Sequence, residues 1–130
     1  MPEIPRSDRR AWCEATWTRL RPRRLPGVGP ASHAWLRAPG SLTRALVATC
    51  PGRFSVRVLR QGRGPALPTE AGLLDNGPAR TTLIREVGLN CDSETWVFAR
   101  TVIPAHDLRG PALGLTMLGQ RPLGEVLFSD

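Results

Sequence analysis

Two runs of alternating residues, separated by a short polar stretch, constrain the fold of this chain most strongly. Residues 82–90 and 95–103 each alternate with the period of two that is typical of a β-strand. The polar stretch between them suits a hairpin in which Asp92 and Ser93 form a two-residue loop. The sequence therefore predicts an antiparallel hairpin over residues 82–103.

Arg85 is out of place in this hairpin. It shares one side of its strand with Leu83, Val87 and Leu89. With a two-residue loop, Arg85 would pair with Arg100 on the opposite strand. Like charges facing each other are unfavourable, and a guanidinium out of water is costly unless it is paired. The pattern therefore predicts an anionic group between the two arginines.

The rest of the chain predicts several helices and one further strand. The expected elements are a helix over 8–20, a helix over 41–50 capped by Ser41, a strand over 54–60 with Phe54, Val56 and Val58 inward, a turn at 61–65, irregular chain over 66–80 with a turn at 75–78, a helix over 108–118 and a helix from 121. Local antiparallel strand connections with separate helices indicate the α+β class.

Length and composition indicate one globular domain over residues 1–130. The chain has 130 residues, of which 41% are hydrophobic and 22% charged. No apolar run approaches the roughly 20 residues that span a bilayer. The N-terminus lacks the apolar stretch of a secretory signal, so we expect a cytoplasmic protein.

The charge balance at first suggests a nucleic-acid partner. The net charge is +7, but every one of the 18 basic residues is arginine. Such a bias is typical of GC-rich coding rather than of selection for phosphate contacts. We therefore expect residues 1–16 to form a basic, solvated and mobile arm, and we expect no nucleic-acid partner.

The cysteines and histidines indicate no cofactor. The three cysteines, Cys13, Cys50 and Cys91, are far apart, so neither a disulfide framework nor a zinc site is indicated. We expect reduced, structural thiols and no metal, with a Cys–His nucleophile pair as the weaker alternative.

Several motifs, taken together, resemble the chorismate pyruvate-lyase family. They are Ile84-Arg-Glu-Val87, Trp96-Val-Phe-Ala-Arg-Thr-Val-Ile-Pro104, Leu118-Gly-Gln-Arg-Pro-Leu-Gly124 and Leu127-Phe128, with Gly40-Ser-Leu-Thr43 and Phe54-Ser-Val-Arg-Val-Leu-Arg60 upstream. Their order and spacing match the family, and the resemblance covers about residues 17–130.

The resemblance implies both a fold and an activity. The family removes pyruvate from chorismate to leave 4-hydroxybenzoate, in the first committed step towards ubiquinone, without a metal or cofactor. Its fold is a single antiparallel sheet with flanking helices that encloses an internal ligand cavity under flaps. The substrate chorismate and the product 4-hydroxybenzoate are therefore the expected small-molecule partners.

The resemblance also implies site residues. The arginine for the ring carboxylate falls on Arg85, and the main-chain ligand contacts fall on Leu42 and Leu123. Arg100 takes a supporting role, either as a partner of the site or in a salt bridge with Glu86 or with the glutamate at position 125.

The chain departs from the family at its C-terminal end. The family's acidic residue lies in a last strand for which this sequence has no counterpart before Asp130, and Glu125 does not match it. We therefore expect missing C-terminal strands, no identifiable catalytic residue and weak or absent turnover. The expected state is a monomer that can self-associate through Val126, Leu127 and Phe128.

A binding module is the alternative function. The same fold resembles the effector-binding domain of some bacterial transcription regulators, which bind a small anion without cleaving it. Residues 1–38 are too short and too rich in proline for a winged helix-turn-helix, which favours the lyase.

Overall fold

Three antiparallel strands and short flanking helices make up the computed structural model, which describes residue 17, residues 26–74 and residues 81–128. The sheet has the strand order β1 (Phe54–Pro65), β2 (Thr81–Cys91) and β3 (Glu94–Pro104). The helices are α1 (Pro30–Arg37), α2 (Leu42–Thr49), α3 (Pro68–Leu73) and α4 (Leu123–Leu127), with 3₁₀ helices at Ala105–Asp107 and Gly110–Met117. The predicted α+β class is confirmed.

The central strand β2 is buried on both of its faces. Its first face carries Leu83, Arg85, Val87 and Leu89, and its second face carries Thr82, Ile84, Glu86 and Gly88. Leu46 of α2 packs on the first face in a core with Val56, Val87 and Leu89. Because burial on two faces requires cover on two sides, β2 is the strand on which the rest of the fold is assembled.

Each outer strand carries one bulge, and each bulge shifts the pairing with β2 by one residue. In β1 the shift lies between Val58 and Arg60, so Leu59 has no partner on β2. In β3, Val97 pairs with Leu89 and Thr95 pairs with Asn90, so Trp96 has no partner on β2. The predicted two-residue loop is confirmed, because Cys91 pairs with residue 94.

The predicted pairing of Arg85 with Arg100 is wrong because the bulge intervenes. Beyond Trp96 the register moves by one residue, so Arg85 lies opposite Thr101 and Arg100 lies opposite Glu86. Successive side chains point to opposite faces of a sheet, so this shift separates the two arginines onto different faces.

The predicted helix over 41–50 is confirmed as α2. The Ser41 hydroxyl accepts a hydrogen bond from the main-chain N–H of Arg44 at 3.3 Å, as an N-cap does. Leu46 is buried, whereas Leu42 is 44% exposed. The predicted helix from residue 121 is present as the shorter α4.

Other predictions need correction. The expected turn at 61–65 is wrong, because β1 pairs with β2 as far as Pro65 and the Thr82 hydroxyl donates to the Gly64 carbonyl oxygen at 2.8 Å. Val58 shares the first face with Val56, as predicted, but it is 36% exposed because β1 is an edge strand with one neighbour. The chain over 66–80, expected to be irregular, contains α3.

The predicted helix over 108–118 is a 3₁₀ helix over Gly110–Met117. Two glycines and one proline within those eight residues disfavour the α conformation. Gly119 follows with a φ of 55°, a left-handed conformation that glycine adopts readily. Three predictions lie outside the described residues. They are the basic arm over 1–16, the helix over 8–20 apart from residue 17, and the turn at 75–78.

A disulfide joins Cys50 to Cys91, so the expectation of reduced thiols is wrong for this pair. Cys50 is the C-cap of α2 and Cys91 ends β2, and packing of α2 on the first face brings their Cα atoms to 5.7 Å. The two cysteines are 41 residues apart in the sequence, so no local pattern indicated that they are close in the fold. Cys13 lies outside the described residues.

Within the part of the chain that the structure describes, no helix has the length and apolar character needed to cross a membrane.

We predict that breaking the disulfide destabilises the fold substantially. Closing a loop between residues 41 positions apart removes conformational entropy from the unfolded chain worth about 4 kcal/mol. The double variant Cys50→Ala/Cys91→Ala should therefore unfold at a lower denaturant concentration than the wild type. Dithiothreitol should lower the unfolding midpoint of the wild type but not that of the double variant. Cys13→Ala is the control. A wild-type midpoint that does not move under reducing conditions would contradict the prediction.

Candidate functional site

Arg85 is a buried cation whose hydrogen-bond partners are all neutral. The residue is 3% exposed. Its Nη1 donates to Gln61 Oε1 at 2.5 Å, and its Nη2 donates to the main-chain oxygens of Gly119 and Arg121 at 2.8 and 3.0 Å. Among the described residues, no carboxylate forms an ion pair with it. Burial without a counter-ion lowers the pKa of Arg85 from its ordinary value.

The segment that follows the long 3₁₀ helix covers the guanidinium. Residues 118–121 approach the first face of the sheet, where Gly119 and Arg121 supply the two carbonyl oxygens. Gln61 of β1 pairs in register with Arg85, and its Nε2 donates to the Thr116 carbonyl oxygen at 2.7 Å. Arg85, Gln61 and residues 116–121 therefore form one hydrogen-bonded network.

Arg100 has the opposite electrostatic environment on the second face. Its Nε lies 2.7 Å from Glu70 Oε1 and its Nη1 lies 2.5 Å from Glu86 Oε1, which gives it two carboxylate partners. The hydrogen bond that Arg100 donates to Glu70 is the largest cause that raises the pKa of Arg100. The expected salt bridge with Glu86 is confirmed, and Glu70 was not foreseen.

Glu70 ties α3 to the sheet through the same ion pair. Its Oε2 accepts from the Leu67 main-chain N–H at 2.9 Å and from Arg100 Nη2 at 3.1 Å. Burial by itself raises the pKa of Glu70, but the hydrogen bonds from Arg100 and Leu67 outweigh it, so the net shift is downward. The second face is therefore a neutralised, structural cluster.

The two bulges decide which residues face Arg85. If Leu59 paired with β2 instead of forming a bulge, Arg60 would lie opposite Arg85. If Trp96 paired with β2 in the same way, Arg100 would lie opposite Arg85. The bulges instead place Gln61 and Thr101 opposite Arg85, and the two displaced arginines opposite Glu86. Bulges that re-aim side chains in this way are common beside functional sites.

The segments that contain Leu42 and Leu123 lie against each other. A Cβ on Gly124, next to Leu123, would come within 2.9 Å of Thr43 Oγ1 and 3.2 Å of Ser41 Oγ, so a side chain there would require these hydroxyls to shift. A cleft of about 140 Å³ separates α2 from α4 and is lined by Ser41, Thr43, Arg44, Gly124, Glu125 and Phe128. Arg85 does not line this cleft, but it holds the carbonyl of Arg121, two residues before Leu123.

Arg85 thus bonds to the stretch of chain that leads to Leu123, and Gly124, next to Leu123, lies close to the segment of Leu42. Arg100 lies on the other face. Sequence reasoning missed Gln61 because it placed this residue in a turn at 61–65 and because the bulge at Leu59 left no mark in the alternation. Within the described residues there is no group of three or more His, Cys, Asp or Glu side chains that could hold a metal ion.

Comparison with known proteins identifies the family. The model of the chorismate lyase family matches residues 11–130 of the chain. The chain belongs to the chorismate lyase family. Its relatives include a probable chorismate pyruvate-lyase of Methylococcus capsulatus, 47% identical over 98 residues that make up 75% of this chain and 60% of the relative.

Two further relatives carry the same name. The protein of Marinobacter nauticus is 46% identical over 78% of this chain and 54% of its own length, and that of Aromatoleum aromaticum is 42% identical over 88% and 60%. The chain therefore matches between about half and three fifths of the length of these relatives.

We predict that acid weakens the fold through Glu70. The folded pKa lies below its ordinary value of 4.5, so the unfolded chain binds the proton more readily. The stabilisation is complete above the ordinary value and is lost as the pH falls through the folded pKa. Thermal unfolding measured from neutral to acid pH should show this loss. Glu70→Gln should be less stable at neutral pH and lose less on acidification, and an unchanged acid dependence would be the contrary result.

Proposed function

We propose that Arg85 binds the ring carboxylate of chorismate and of 4-hydroxybenzoate, and that the chain supplies this part of a chorismate lyase site. One observation carries the proposal: Arg85 is a buried guanidinium whose acceptors within residues 26–74 and 81–128 are all neutral. A buried charge is costly unless it is paired, and a carboxylate ligand supplies the missing opposite charge.

The donor count supports a carboxylate ligand. A guanidinium has five N–H groups, and the contacts to Gln61, Gly119 and Arg121 use three of them. The two donors that remain within the described part of the chain are on Nε and Nη1, and these two do not form a parallel pair. A carboxylate can accept two parallel hydrogen bonds from such a planar group, and this contact supplies orientation as well as charge. Both Nη2 hydrogens are in use, so a two-point contact requires the ligand to displace at least one of the carbonyl contacts.

The proposed ligand lies between the first face of the sheet and the segments of Leu42 and Leu123. Main-chain groups there would hold the ring end of the ligand while Arg85 fixes its carboxylate. Close packing of Gly124 on Ser41 and Thr43 keeps these two segments at a fixed separation. We propose that the internal cavity implied by the family resemblance is the space that these groups border.

The proposed reaction is elimination of pyruvate from chorismate. The bond between the ring carbon and the ether oxygen breaks, a ring proton is lost, and the aromatic ring of 4-hydroxybenzoate forms. Aromatisation provides much of the driving force, so the protein's task is to orient the substrate and to exclude water. This chain is assigned no catalytic residue.

Binding without turnover is the second candidate function. A small-anion module of the same fold would use the same arginine, and the buried, unneutralised cation favours both functions equally. The matched relatives are longer than this chain, so binding and turnover are separate questions that separate experiments answer.

We predict that Arg85→Lys weakens 4-hydroxybenzoate binding while Arg100→Lys does not. Disrupting a desolvated, charged hydrogen-bond pair costs about 2–5 kcal/mol, and an ammonium recovers only part of this because it lacks the planar two-point contact. Titration calorimetry should therefore show an affinity at least tenfold lower for Arg85→Lys, and no detectable binding for Arg85→Met.

The matched variant Arg100→Lys controls for loss of stability, because it alters a guanidinium on the opposite face. Its melting temperature should fall while its affinity stays within twofold of the wild type. Neutral 4-hydroxybenzamide should bind neither variant nor the wild type, because it lacks the charge that Arg85 requires. Equal affinity of wild type and a folded Arg85→Met for 4-hydroxybenzoate would exclude Arg85 as the carboxylate ligand.

Turnover is the second prediction for this site. We expect this chain to bind 4-hydroxybenzoate but to release it from chorismate at a rate far below that of the longer relatives, because the matched stretch makes up only about half to three fifths of their length. Chromatography of the products after incubation with chorismate measures the rate, with Arg85→Met as the background. A rate equal to that of a longer relative would contradict the prediction.

A further inference from the structure

We propose that Gln61 is the positioning residue for Arg85, an inference that rests on the proposed carboxylate-binding role of Arg85. The Gln61 amide makes two hydrogen bonds: Oε1 accepts from Arg85 Nη1 at 2.5 Å and Nε2 donates to the Thr116 carbonyl oxygen at 2.7 Å. A carbonyl oxygen accepts only from a donor, so the Thr116 contact fixes which end of the amide faces Arg85.

A glutamine suits this position because its amide is neutral. It fixes the plane of the guanidinium but leaves the positive charge available to a ligand. The contrast with Arg100 shows the other outcome, since Glu70 and Glu86 hold that guanidinium and also neutralise it. A two-point contact with a carboxylate depends on the plane of the guanidinium, so an acceptor that sets this plane affects affinity without touching the ligand.

Gln61 also connects Arg85 to the chain that covers it. Thr116 lies in the 3₁₀ helix, and Arg85 itself holds the carbonyls of Gly119 and Arg121 a few residues later. The covering segment is therefore attached to the sheet through Gln61 and Arg85 together. Loss of the Gln61 amide removes one of these attachments and one constraint on the guanidinium at the same time.

The test compares Gln61→Met with Gln120→Met. Methionine keeps the length of the side chain and removes both amide hydrogen bonds. Gln120 lies exposed between Gly119 and Arg121, and within the described residues its side chain makes no hydrogen bond. It is therefore a matched control on the segment that covers Arg85. Gln61 is itself largely exposed on an edge strand, so its replacement leaves the core intact.

The first measurement needs no ligand. Nitrogen-15 NMR of arginine side chains, with the Arg85 signal assigned from Arg85→Lys, reports whether rotation of the guanidinium is restricted. Wild type and Gln120→Met should show separate, slowly exchanging Nη protons for Arg85, and Gln61→Met should show averaged ones. An Arg85 signal that is the same in Gln61→Met and in the wild type overturns the proposal.

The second measurement is calorimetry with 4-hydroxybenzoate. A lost hydrogen bond to a charged group predicts binding about tenfold to a hundredfold weaker for Gln61→Met, and no change for Gln120→Met. In an Arg85→Lys background the same substitution should change affinity less than threefold, because Gln61 acts through the guanidinium. An undiminished effect in that background overturns the proposal.

The two measurements separate this proposal from the one on which it rests. If the wild type binds no 4-hydroxybenzoate, the proposed function fails, yet the NMR comparison still decides whether Gln61 positions Arg85. If the wild type binds and Gln61→Met binds equally well, the carboxylate role of Arg85 stands and the positioning role of Gln61 is overturned.

Discussion

The rest of this structure depends on one constraint, a buried guanidinium that has no carboxylate partner among the described residues. Arg85 lies on the central strand among apolar side chains, and the fold satisfies its donors with one amide and two main-chain oxygens. Such an arrangement is less favourable for stability than an ion pair or an apolar residue of similar size. Under the proposed function this cost has an explanation, because the cation would bind the carboxylate of a ligand.

Glu86, the next residue along β2, shows how one strand supports two electrostatic environments. Successive side chains point to opposite faces, so Arg85 and Glu86 are adjacent in sequence but separated by the sheet. On the second face, Glu86 and Glu70 share Arg100 and secure α3. On the first face, the charge stays available. The sheet therefore separates the carboxylates of the second face from Arg85. Without this separation they would neutralise its charge.

The sequence alone predicted the hairpin, its two-residue loop, the capped helix α2 and the anomaly of Arg85, because each depends on local periodicity or on a capping residue. It did not predict the partners of Arg85. A bulge adds a residue without disturbing the alternation enough to be noticed, so Gln61 and Thr101 could not be placed opposite Arg85. The disulfide and Glu70 depend on contacts between distant segments, which no local pattern records.

The two bulges make the length of each outer strand matter as much as its composition. Inserting one residue into either strand, on the side of Arg85 nearer the β2–β3 turn and with the single bulge kept, would move the pairing by one residue and bring Arg60 or Arg100 opposite Arg85. Two guanidinium groups would then share one buried position, with a strong mutual repulsion. Insertions in these strands should therefore be tolerated far less than substitutions at the same positions, even where every side chain involved is exposed.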